Sequence, residues 1–134
     1  MYIQETTFDK LGGLVKTSVL LRMRPQPTAI FAGNDMIAFG VLLALRDSGL
    51  RCPQDVSLIG FDDLDIAEMT NPQLSSVHQP SYQLGTTAAR LLLERVAGST
   101  SAAKHTGAGD GIENSPIRGS SAATRLSYFG GTSG

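Results

Sequence analysis

PTAIFAGNDMIAFGVLLALRDSGLRCPQDVSLIGFDD, Pro27 to Asp63, is the stretch whose reading decides the fold. Thr28 to Ala32 is a short apolar run without alternation, the pattern of a strand covered on both faces. Gly33-Asn34-Asp35 breaks that strand and supplies side-chain oxygens suited to capping a helix, a contribution of about 1 kcal/mol over alanine. The helix should run to about Ser48 and close at Gly49. Val56 to Phe61 then repeats the strand pattern and ends at Asp62-Asp63. Strand, helix and strand with short links dictate parallel pairing through a right-handed crossover.

Outward from this unit the same logic holds. Phe8, Leu11, Val15 and Val19 recur at helical spacing with Lys10 and Lys16 off the stripe, which predicts an amphipathic helix from about Asp9 to Arg22. Arg24-Pro25-Gln26-Pro27 stops it. Leu74 to His78 reads as a third, short strand. Tyr82 to Ala97 carries Leu84, Ala88, Leu91, Leu92 and Val96 on one face and ends at Gly98, so it reads as a helix. The expected architecture for residues 1–98 is an α/β three-layer sandwich around a parallel sheet.

Past Gly98 the composition changes. Of the 36 residues from Ser99 to Gly134, 23 are Gly, Ser, Thr or Ala. Such a segment gains little burial against its ordering entropy. Residues 99–134 are therefore expected to form a low-complexity, largely flexible tail, with a candidate terminal strand near 124–129.

Bulk properties exclude several classes. With 11 basic and 12 acidic residues the net charge is −1, and no Lys/Arg run is present, so the chain lacks the clustered cations that phosphate neutralisation needs. One cysteine, Cys52, precludes an internal disulfide, and with His78 and His105 alone beside it no Cys/His zinc site is expected. Cys52 reads as a small loop or half-buried side chain, and both histidines as surface or turn residues. The longest apolar stretch, Met36 to Leu45, is half a membrane span, and the start MYIQETTFDK does not resemble a secretory leader. The expectation is a cytoplasmic chain without a membrane segment. Neither GxxxxGK nor GxGxxG occurs, so no phosphate loop and no cofactor are expected.

Chemistry should gather where the strands end. IFAGND (Ile30 to Asp35) and LIGFDD (Leu58 to Asp63) both finish an apolar run with glycine and compact polar groups. Ligands of parallel sheets bind beyond the carboxyl ends of the strands. Asn34, Asp35, Asp62 and Asp63 could meet there and hold a neutral polyhydroxyl or amine-bearing ligand. The alternative is plain: Asp35 caps its helix, and Asp62 or Asp63 caps a turn. Asp62, Asp63, Asp65 and Glu68 could also hold magnesium, but no lysine stands at a strand end to steady a transferring group. The helix after Asp35 is apolar almost all round, so a second surface should cover it.

Pro27 to Asp63, followed by NPQLSSVHQPSYQLGTTAARLLLERVAG from Asn71 to Gly98, resembles the effector-binding domain of the LacI/GalR family of bacterial transcription regulators. That domain is similar to a type I periplasmic sugar-binding protein. The family's T-x-x-x-P leader here begins with Ser76 in place of threonine and ends at Pro80. The resemblance implies the C-terminal subdomain of that fold, sensing a sugar or purine-like effector and forming a homodimer. It implies that DNA is reached only through a helix-turn-helix headpiece this chain lacks. Carried over, Asn34 and Asp62 would hydrogen-bond the effector, and Phe31 would offer it an aromatic face. Ile37, Val41, Leu42 and Leu45 would serve the dimer interface. A sugar-binding protein of a transport system is the alternative, and an enzyme built on Asp62 and Asp63 lacks a nucleophilic or cationic partner. Neither catalytic residues nor a metal are expected.

Overall fold

The structure, a computed structural model, describes residues 2–98. The expected tail and its strand near 124–129 lie outside the described residues, as does His105. Seven elements follow in order: α1 (Lys10–Leu20), β1 (Ala29–Phe31), α2 (Asp35–Asp47), β2 (Ser57–Asp62), α3 (Asp65–Met69), β3 (Ser75–His78) and α4 (Ser81–Val96). The strands form one sheet in the order β1-β2-β3, and both pairings are parallel. Phe31 lies opposite Ile59 and Asp62 opposite His78, so the carboxyl ends of all three strands share one edge. This is the expected parallel sheet with helical crossovers. The short helix α3 has no counterpart in the sequence reading.

α2 lies against the sheet and builds the core. Val41, Leu45 and Val56 are buried together, with Ile30, Leu50, Cys52 and Leu58 packed around them. Ala32, Ala38, Ala67 and Leu74 form a second cluster, joined to the first through Ile37 and Leu58. Val41 and Leu45, expected at a dimer interface, are thus corrected to core residues, at 2 % and 1 % exposure. A helix on a sheet must turn one whole stripe inward, and theirs is that stripe. Ile37 is half-buried between both clusters, which leaves Leu42 as the member of that set on the outer side of the helix.

α1 inverts its expected orientation. Asp9 caps it, its Oδ1 accepting from the Gly12 N–H at 2.7 Å. Its buried residues are Gly13 and Thr17, whereas Phe8, Leu11, Val15 and Val19 are all exposed. The small face packs because α1 crosses α2 at van der Waals distance of backbone on backbone. A Cβ on Gly13 would stand 2.2 Å from the Ile37 carbonyl oxygen, and one on Gly40 would stand 2.1 Å from that of Lys10. Periodicity located the helix, but glycine decided which side goes in. Lys10 also sets its ammonium over the Phe39 ring, 6.0 Å from the centroid.

β1 departs from its pattern as well. Ala29 and Phe31 are exposed and Ile30 half-buried, so one face of the strand is bare rather than covered. A groove of about 960 Å³ runs along it, walled by Tyr2–Thr6, by Lys16, Thr17 and Leu20 of α1, and by Phe31. α4 buries no side chain completely: Leu92 and Val96 of its expected apolar face are exposed, as is Leu93. No helix among the described residues is long and apolar enough to cross a membrane.

The α1–α2 crossing makes a direct prediction. Gly40→Ala forces backbone apart in a packed layer and should cost about 1–3 kcal/mol, read by urea unfolding. An equivalent change at the exposed Gly85, where nothing lies within 4 Å of a new Cβ, should not destabilise the chain.

Candidate functional site

The shared carboxyl edge is organised by Asp35, which is completely buried. Its Oδ1 accepts from the Ser76 hydroxyl at 2.5 Å, and its Oδ2 accepts from the Leu64 N–H at 2.7 Å. Ser76, itself 0 % exposed, accepts in turn from the Asp63 N–H at 3.1 Å. One carboxyl at the start of α2 therefore ties down the turn after β2 and the middle of β3. An unpaired buried carboxyl would cost several kcal/mol, so these bonds are a condition of burying it. Gly60 makes room: a Cβ there would approach Asp35 Oδ1 to 2.3 Å.

The cap expected of Asp35 falls to Asn34. Asn34 is the N-cap, its Oδ1 accepting from the Ile37 N–H at 2.7 Å. That bond uses the carbonyl oxygen and leaves the amide nitrogen for another partner. Asp35 is not the cap but the buried tie between strands.

At the end of β2 the backbone turns through two left-handed residues, Asp62 at φ 103° and Asp63 at φ 57°. Such conformations cost about 1–2 kcal/mol each for residues with a Cβ, though aspartate tolerates them better than most. Hydrogen bonds on both sides hold the turn: Leu64 to Asp35, Asp63 to Ser76, and the Gln79 N–H to the Asp62 carbonyl at 3.4 Å. Asp62 is half-buried, and its carboxyl is pushed above the usual value by burial first and by the nearby Asp35 second. Asp63 Oδ2 lies 2.9 Å from His78 Nδ1. His78 is thus a member of this constellation rather than an isolated surface or turn residue.

Of the other candidates, Phe31 ends β1 at this edge and the rest lie away from it. Phe31 is 64 % exposed and lines the groove beside β1. Asp65 and Glu68 sit exposed on α3. Among the described residues, no three His, Cys, Asp or Glu side chains form a group able to hold a metal ion. Cys52 is half-buried against the main core, and burial pushes its thiol up, away from nucleophilic character.

This architecture has known counterparts. A family model described as a periplasmic binding protein-like domain matches residues 3–110. The chain belongs to that family. Within it, relatives include the ribose operon repressor of Haemophilus influenzae, 41 % identical over 95 residues, covering 71 % of this chain and 29 % of the repressor. The transcriptional repressor PurR of Vibrio atlanticus is 37 % identical over 94 residues, covering 70 % of this chain and 28 % of that protein. Among solved structures, a LacI-family regulator of Enterococcus faecalis V583 with bound ribose is 42 % identical with a TM-score of 0.64, over 70 % of this chain and 34 % of that one. The regulator CelR in complex with cellobiose is 36 % identical with a TM-score of 0.69, over 75 % of this chain and 32 % of that one. The resemblance to LacI-family regulators is thereby established, and the chain spans under a third of the repressors' length.

The raised Asp62 carboxyl makes stability depend on pH with a definite sign. Between the ordinary value of 3.8 and its higher folded value, the native state holds more protons than the unfolded chain, so stability falls as pH rises through that window. Asp62→Asn should therefore be more stable than the wild type above the window, with the difference vanishing below pH 3.8. Urea titrations across pH 3 to 7, values spanning the carboxylate range, measure it.

Proposed function

We propose that this chain is the effector-sensing and dimerising part of a DNA-binding transcription regulator. The observation that carries this reading is the carboxyl edge, where a clamped left-handed turn holds Asp62 half-exposed within a parallel sheet. Fixing a polar side chain at a strained backbone position has no folding advantage, and such strain gathers at ligand sites. In this reading Asp62 accepts from effector hydroxyls, Asn34 donates through its free amide nitrogen, and Phe31 lends an aromatic face. The effector is a small polyhydroxylated molecule of the sugar class, a choice supported by the ribose and cellobiose held by similar regulators. No cofactor or catalytic step enters: the site offers acceptors and a donor but no activated nucleophile. Contact with DNA would belong to other parts of the regulator, and the protein would act in the cytoplasm, where its operator lies.

Dimerisation is assigned to the outer sides of α1 and α2. Leu11 is 66 % exposed and Leu42 is half-buried, and a second copy would cover both. Relatives named as repressors favour this reading over a transport protein of the same fold.

Titration of the chain with D-ribose, followed through backbone amide shifts, should move Asp62 and Asn34 saturably. Binding will be weak, because a small polar ligand needs more enclosure than one edge supplies. Asp62→Asn should weaken it about ten- to a hundredfold, the loss of a charge-assisted bond. Unchanged affinity would make Asp62 a turn residue only. Sedimentation of the same sample should give a dimer that Leu42→Asp converts to monomer, and a monomeric wild type would refute the assigned interface.

A further inference from the structure

His78 ends β3 directly across from Asp62 in the register of the sheet. Residues paired in a parallel sheet stand on the same face, as do residues two apart on one strand. Ser76, two positions earlier, reaches Asp35 of α2, so His78 and Asp62 stand on the α2 side of the carboxyl edge. The imidazole is held by one nitrogen: Nδ1 lies 2.9 Å from Asp63 Oδ2. The Asp63 side chain is only 12 % exposed, whereas that of His78 is 40 % exposed. Among the described residues no hydrogen bond reaches Nε2.

An ionised carboxylate can only accept, so the short contact puts a proton on Nδ1 and leaves Nε2 of the neutral ring as an acceptor. The second nitrogen of an oriented imidazole is thus presented to solvent beside Asp62. Neighbouring strands lie roughly 4.8 Å apart, so the two acceptors are spaced for two hydroxyls of one small molecule. A monoalcohol or a single ammonium group would fill only one of them.

We propose that His78 is a direct ligand contact and selects polyhydroxylated effectors: Nε2 accepts from one hydroxyl while the Asp62 carboxylate accepts from another. This rests on the reading of the carboxyl edge as the effector site. Asp63 is then a positioning residue, since it sets the tautomer and the ring orientation without touching the ligand.

The test uses the full chain and D-ribose as probe. Imidazole ¹⁵N spectra of the free wild type at neutral pH should show the Nδ1–H tautomer at His78, and ribose should shift Nε2 on the same binding curve as the Asp62 amide. His78→Asn keeps an amide nitrogen near the position of Nδ1, able to bond Asp63, but has nothing at the position of Nε2. It should preserve the amide spectrum from Asp62 to Leu64 and weaken ribose about three- to tenfold, as should His78→Ala. Wild-type affinity in His78→Asn would overturn the contact and reduce His78 to a support for Asp63. An Nε2–H tautomer, or an Nε2 signal unmoved at saturation, would overturn it too, whether or not the variants fold. Failure of the wild type to bind ribose at all would defeat the effector-site reading itself, and the contact with it.

Discussion

Everything at the carboxyl edge of the sheet depends on one buried carboxyl. Asp35 opens α2, yet its oxygens reach a hydroxyl on β3 and a backbone N–H beyond β2. Removing it would leave the buried Ser76 hydroxyl without its acceptor and release the Leu64 N–H, and burying it without them would be costly. The arrangement joins the three segments that end at the edge, so packing and the geometry of the edge are set by one network. Gly60 belongs to the same device, because any side chain there would occupy the space of the carboxyl.

From that tie the character of the site follows. The turn after β2 is forced through two left-handed aspartates, and its hydrogen bonds to α2 and β3 hold it open. Asp62 is left in a partly desolvated place near Asp35, which makes its charge unfavourable for stability. In the proposed role, a ligand hydroxyl would relieve that cost. The proposed site would thus be made receptive by a residue that destabilises the empty protein, a common exchange between stability and function.

Much of this was legible in the sequence. The two apolar runs closing on GND and GFDD announced parallel strands with a polar edge, and Gly49 and Gly98 marked helix ends, both with positive φ. What escaped has physical reasons. Asn34 and Asp35 are adjacent and both can cap, so only the three-dimensional reach to Ser76 distinguishes the cap from the tie. The all-apolar α2 gave no sign of which stripe was core, and Val41 and Leu45 turned out to be inside. In α1 the periodic stripe of Phe8, Leu11, Val15 and Val19 was real but outward, because Gly13 and Gly40 let two backbones meet. The spacing of small residues on two helices was the available signal. His78 looked isolated since its partner stands 15 residues away in the turn after β2.

Amide hydrogen exchange at Asp63 and Leu64 tests the central claim most directly. These N–H groups lie in a turn near the surface, where open loops exchange within seconds to minutes. If the Asp35 network organises the edge, both amides should be protected to nearly the same degree as Val41 and Leu45 in the core, and Asp35→Asn should strip that protection first. Rapid exchange of both in the wild type, with α2 fully protected, would show that the turn stands without the tie and contradict the account.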